Sequence, residues 1–215
     1  DRHGEATLRN NLGVVHYHRG DDQAASEHYR ASLEIKTAIG DTYGRAIALT
    51  NLALIETHLG DFDEAGVLLQ EAARAADASG AAWLEPEIAR VAAQRHLALG
   101  DLDAALASAS AALLAAETLG VPSFIGVAHR VLGLVKASAD SEMSEADEHF
   151  TTSLAVFEML RNDHESAKTH ATYGQALLAH GRARDAEAHI RAAAEVFARS
   201  GATGRLRRLD SLIED

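Results

Sequence analysis

Side chains able to do chemistry recur at intervals of forty residues. Asn11 and Asn51 are one such pair, with Asn10 beside the first, and Arg90 and Arg130 are another, followed by Lys168. A carboxamide offers both a donor and an acceptor. A guanidinium or an ammonium pairs a carboxylate. His18 and His58 also stand forty apart, where they could give a pH response near neutrality. His28, His149 and His189 share a second register position, and both sets read as exposed helix residues.

Other chemistries are poorly served. A helical zinc pair needs ligands about one turn apart with a third converging, as in H-E-x-x-H, and neither that motif nor any Cys occurs. There is no glycine-rich phosphate loop, no G-x-S-x-G elbow and no kinase signature. Glu56 and Asp63 follow solvent-face periodicity and do not pair as acid and base. No catalytic residue, no metal and no cofactor is expected, and hence no enzyme.

Composition limits the classes further. The 215 residues carry 20 Lys+Arg against 32 Asp+Glu, a formal charge of −12, which argues against nucleic acid as a partner. With 47% hydrophobic and 24% charged residues the chain can bury a core, while 5% aromatics and only two Pro disfavour a β-sandwich. No run reaches the roughly 18 continuous apolar residues of a membrane span and no signal segment opens the chain, so a cytoplasmic location without membrane contact is expected. Lys36, Lys136 and Lys168 are the only lysines, a usage that suggests a high-GC bacterial source. The first residue is Asp1, at a repeat boundary, as expected for a piece of a longer polypeptide.

The elements that must position these residues follow from the same ruler. Gly20-Asp21 recurs as Gly60-Asp61 and Gly100-Asp101, with Gly40, Gly80 and Gly120 halfway between. Each Gly can close a helix in the left-handed conformation and each Asp can cap the next, so two glycines per period mean two helices. Gly181 and Gly201 continue the ruler after one inserted residue, placed near Ser138 to Ser144, and Arg161-Asn162 replaces a Gly, with Asn as the left-handed cap. The reading is all-α: an αα-hairpin solenoid of five helix pairs over about 1–40, 41–80, 81–120, 121–161 and 162–201. The array closes at 204, and Leu206, Leu209, Leu212 and Ile213 mark a capping helix over 205–215.

Small and large residues alternate in fixed order within each pair: Gly13, Ala25, Tyr29 and Ser32, then Ala53, Ala65, Leu69 and Ala72, through to Gly174, Ala186, Ile190 and Ala193. This resembles the tetratricopeptide repeat in its longer-period form, as in kinesin light chains, the spindle-orientation adaptor Pins and bacterial multidomain regulators. The period alone is also open to other αα-solenoids such as HEAT arrays, against which the Gly-Asp turn counts. Two departures from the usual 34-residue repeat are six extra residues after Leu33 and no Pro after the outer helix.

The resemblance implies a right-handed superhelix whose first helices line a concave face. On it Asn11 and Asn51 occupy the position that holds a ligand's backbone, so the implied ligand is extended peptide. Arg90, Arg130 and Lys168 make that peptide acidic, with Asn10, His18, Leu54, His58, Gln94 and Gln175 as further contacts. The alternative is that the Asn residues are merely wetted and the Arg side chains pair with neighbours such as Glu87. The expected role is a non-catalytic scaffold for a protein or peptide partner, possibly another domain of the same polypeptide. A second reading is a sensor segment of a bacterial regulator that binds a small effector. A monomer or a weak end-to-end oligomer is expected.

Overall fold

The computed structural model describes residues 1–139 and 143–210. Asp140 to Glu142, inside the expected insertion, and 211–215, with Leu212 and Ile213 of the expected cap, lie outside them. Eleven α-helices follow one another among the described residues: α1 (Arg2–Arg19), α2 (Asp22–Ala38), α3 (Thr42–Leu59), α4 (Phe62–Ser79), α5 (Glu85–Ala98), α6 (Leu102–Leu119), α7 (Pro122–Ala139), α8 (Ser144–Met159), α9 (Asp163–Ala179), α10 (Ala183–Ser200) and α11 (Thr203–Asp210). They pack as five consecutive pairs, α1 with α2 through α9 with α10, followed by α11.

Local chemistry sets the junctions. Gly20, Gly60, Gly80, Gly120 and Gly201 close their helices at positive φ, and the Asp21, Asp41, Asp61 and Asp101 carboxylates each accept the backbone N–H three residues on. The fourth junction corrects the expectation in one respect. Arg161, at φ 50°, takes the left-handed position, while Asn162 caps α9 by accepting from the Glu165 N–H. Stop and start need successive residues, so Asn162 serves the start and an Arg bears a strain of about 1 kcal/mol at the stop.

Each pair is wedged shut by small residues. Ala25, Ala65, Ala105 and Ala186 are wholly buried, as are Ser32, Ala72, Ala112, Ser153 and Ala193. A Cβ on Gly13 would stand 2.6 Å from the Tyr29 ring, and one on Gly174 would stand 2.7 Å from Ile190. Ion pairs join one pair to the next: the Arg30 guanidinium donates to both Glu64 oxygens at 2.6 and 2.7 Å and lies 2.9 Å from Glu56. Glu56, expected on a solvent face, is therefore buried where α2 meets α3, held by Arg30 and by the Ser26 hydroxyl at 2.6 Å.

Two helices stand apart. α6 is long and apolar enough to cross a membrane by length and composition, yet it occupies an outer-helix position between α5 and α7, with Ala105, Ala109 and Ala112 buried. On α1, Leu8, Leu12 and Val15 are exposed where their counterparts in the second pair, Ala48, Leu52 and Ile55, are buried.

The histidines also depart from expectation, because several are half-buried in pairs instead of exposed. His129 and His149 share a hydrogen bond at 2.9 Å, His170 and His189 one at 2.7 Å, and the His16 and His28 rings stack at 5.2 Å. Burial lowers the pKa of all four hydrogen-bonded rings, and the neighbouring His189 helps bring His170 to about 4. An unfolded chain takes up protons on these rings near pH 6.5, whereas the folded chain resists until lower pH. Stability is therefore complete above about pH 6.5 and falls as pH drops through the window below it.

Two outcomes follow from this packing. Ala65→Arg or Ala186→Arg should cost at least roughly 1–3 kcal/mol by overpacking, with a buried charge in addition, seen as a fall in Tm; unchanged Tm in both would contradict the register. Between pH 7.5 and 5 the Tm of the native chain should fall, and His129→Gln with His170→Gln should shrink that fall. An equal fall in the double variant would assign the pH dependence to other groups.

Candidate functional site

The inner helices α1, α3, α5, α7 and α9 point their side chains at a common axis, and the two ends of the array meet there. Gly204 lies so close to α1 that a Cβ on it would stand 2.5 Å from the Arg19 carbonyl oxygen. Arg205 donates to the Tyr17 and His18 carbonyl oxygens at 3.1 and 3.3 Å, and Arg208 donates to Asp22 at 2.8 Å. His164 and His18 share a hydrogen bond at 2.9 Å. The expected open trough is thus a ring, because the rotation from pair to pair brings the fifth pair back to the first.

The ring encloses a cavity with two lobes. The smaller, about 210 Å³, is roofed by α11 and lies between Tyr17, His58, Arg90, Gln94, Arg130, Lys168, Gln175 and Arg205. The larger, about 370 Å³, opens toward the starts of α5, α7 and α9 and is lined by Asn51, Leu54, Glu87, Phe124, Asn162 and Glu165, among others. Tyr17, Arg90, Arg130 and Lys168 line both. A wider groove of about 550 Å³ beside α7 and α9 has no Arg, Lys, Asp or Glu among its described lining residues.

Tyr17 is the centre of charge. Lys168 Nζ lies 5.3 Å and the Arg205 guanidinium 4.8 Å from the centroid of its ring. Burial opposes ionisation of the phenol, but Lys168, Arg205, Arg90 and Arg130 outweigh it and bring its pKa below the ordinary tyrosine value. Burial also opposes ionisation of Glu165, which Arg130 at 2.8 Å and Lys168 at 2.7 Å nevertheless hold well below the usual carboxylate range. Arg90 is paired with Glu87 at 2.8 Å and donates to Gln94 at 2.9 Å. Burial, Lys168 and His164 push His18 down to about 4, so it is neutral at pH 7. Asp22 resists burial through His58 and Arg208 and falls to about 2.

Of the residues singled out by periodicity, the cavity gathers Asn51, Leu54, His18, His58, Arg90, Gln94, Arg130, Lys168 and Gln175. Asn11 is exposed and lines neither lobe, and Asn10 instead accepts from the Asn51 amide at 3.2 Å. Leu54, Arg90 and Lys168, expected as contacts on the concave face, are themselves buried, because adjacent inner helices pack together at the axis. Arg205, Arg208 and Glu165 are lining or pairing residues that periodicity does not indicate. They stand in polar stretches, Asp163-His164-Glu165-Ser166 and Arg205-Leu206-Arg207-Arg208, where no local pattern sets them apart.

The sequence from 6 to 41 matches a family model described as tetratricopeptide repeat. No curated protein matches the chain. Among solved structures, the chain superposes on a Rap protein complexed with Competence and Sporulation Factor at TM-score 0.72 and 16% identity, covering 100% of this chain and 65% of that one. The apo form of RapI gives TM-score 0.60 at 14% identity, with 95% of this chain and 57% of that one covered. A kinesin-light-chain-like protein from Podosopora anserina with nearly identical TPR-like repeats gives 0.56 at 16% identity, covering 93% and 98%. The chain therefore spans less than two thirds of either Rap protein.

The seam can be tested directly. Arg205→Ala removes two charge-assisted donors to α1 and should cost about 1.5–3 kcal/mol of stability, together with a larger radius of gyration in small-angle scattering. A variant with native Tm and native radius would show that the ends stay together without Arg205.

Proposed function

We propose that the chain, which matches a tetratricopeptide-repeat model over residues 6–41, is a non-catalytic recognition scaffold of that kind, taking an acidic segment of a partner protein into its inner face. The observation that carries this reading is the convergence of Arg90, Arg130 and Lys168 with Asn51 and Leu54 on one cavity. Cations in a confined, partly desolvated space favour carboxylates more strongly than the same cations on an open surface. The Asn51 carboxamide supplies a donor and an acceptor for a peptide backbone once Asn10 gives way. Glu87 and Glu165 pair with these cations and exchange places with the incoming carboxylates, which also selects against neutral segments.

Asn10 and Asn11 then serve outside the cavity, where a longer segment leaves it, while His58, Gln94 and Gln175 contact only a segment that reaches the lobe under α11. A second reading, regulation inside a larger bacterial protein, draws on the Rap protein seen with Competence and Sporulation Factor, whose length exceeds that of this chain. A cytoplasmic location and a monomeric state complete the proposal.

Titration of acidic and neutral extended peptides by calorimetry tests the proposal. The acidic series should bind more tightly, with Arg130→Ala and Asn51→Ala each weakening it by about tenfold, the value of one lost charge-assisted or bidentate contact. Equal binding of both series, or unchanged affinity in both variants, would remove it.

A further inference from the structure

Charge is unbalanced around Tyr17. Four cations approach it: Arg90, Arg130, Lys168 and Arg205. Two carboxylates answer them, Glu87 on Arg90 and Glu165 on Arg130 and Lys168. Among the described residues Arg205 meets only backbone oxygens and the Tyr17 ring, and Arg208 pairs with Asp22. Among the described residues two positive charges are left over, in a half-open recess where an unbalanced charge is costly.

The surplus is also placed on one side. Glu87 and Glu165 line the larger lobe and not the smaller, whose walls carry Arg90, Arg130, Lys168, Arg205 and Arg208 and no carboxylate among the described residues. Neutral donors complete it. The Tyr17 hydroxyl has no hydrogen-bond partner among the described residues, and the Gln94 amide nitrogen is spare because its oxygen accepts from Arg90.

We propose that the lobe under α11 binds a small molecule carrying a phosphoryl-type dianion. A phosphoryl group near neutral pH bears close to two negative charges on oxygens spread tetrahedrally, matching both the surplus and its delivery from separate helices. A single carboxylate would satisfy half of it. The cations come from α5, α7, α9 and α11 and the hydroxyl from α1, so the bound dianion ties the roof to the rest of the ring. Its occupancy would set how firmly the seam holds. The inference goes beyond the acidic-segment reading: the two share Arg90, Arg130 and Lys168, while Asn51 and Leu54 line only the other lobe and Arg205 only this one.

Calorimetric titration of the full chain with inorganic phosphate, against sodium chloride at matched ionic strength, tests it. Saturable binding is expected with phosphate alone, weakened about tenfold or more in Arg205→Gln and about threefold in Tyr17→Phe, with Asn51→Ala unchanged. Phosphate should also slow amide exchange in α11 of the native chain, a readout independent of whether Arg205→Gln folds. Heats equal to those of chloride, or native affinity in Tyr17→Phe together with unaltered α11 exchange, would overturn the proposal. Loss of acidic-peptide binding in Asn51→Ala with phosphate binding retained would separate the two sites.

Discussion

Two helices can lie as close as these pairs do only where one of them carries no side chain, or only the methyl of Ala53 or Ala93, at the crossing, and the rest of the molecule depends on that constraint. Tyr29 against Gly13, Phe150 against Gly133 and Ile190 against Gly174 are versions of one contact, in which a large side chain fills the space that a Cβ would occupy. Interiors at this density do not yield gradually, so the contact fixes the angle within a pair. With each pair fixed as a unit, the turn from one unit to the next sets where the fifth pair stands relative to the first. A wider angle at any one pair would carry Arg205 away from Tyr17.

Closure changes the electrostatics as much as the shape. A chain with a net charge of −12 gathers Arg90, Arg130, Lys168 and Arg205 around one phenol and leaves its acidic excess on the outside. On an open trough these cations would be screened by water and salt. Within the ring they are strong enough to hold Glu165 ionised despite its burial. Glu87 and Glu165 thus belong to the architecture of the cavity as well as to its chemistry: removing either would leave a buried guanidinium or ammonium without its partner.

The site was legible in the sequence to the extent that it is periodic. Arg90 and Arg130 stand in equivalent places on α5 and α7, and the forty-residue spacing puts both at the axis. Asn51 reaches the cavity while Asn11, its equivalent, stays exposed, and Asn10 beside it meets the Asn51 amide instead. Glu56 was also misread. Its spacing along α3 matches a solvent face, but the approach of α2 covers it and Arg30 makes the burial tolerable. Arg161 shows the limit at short range, since the residue most tolerant of a left-handed turn, Asn162, was also the better helix cap.

What the sequence by itself determined is the set of helices, their order in pairs and the face each turns to its partner. Those features rest on caps, left-handed glycines and small-residue contacts within a few tens of residues. What only the tertiary structure decided is that the array closes. The turn from one pair to the next is a small angle that no single residue encodes, and a modest change in it, multiplied over five pairs, separates a ring from an open coil. Arg205 reaches the Tyr17 carbonyl across 188 residues of chain because those angles add up to closure, and no local pattern carries their sum.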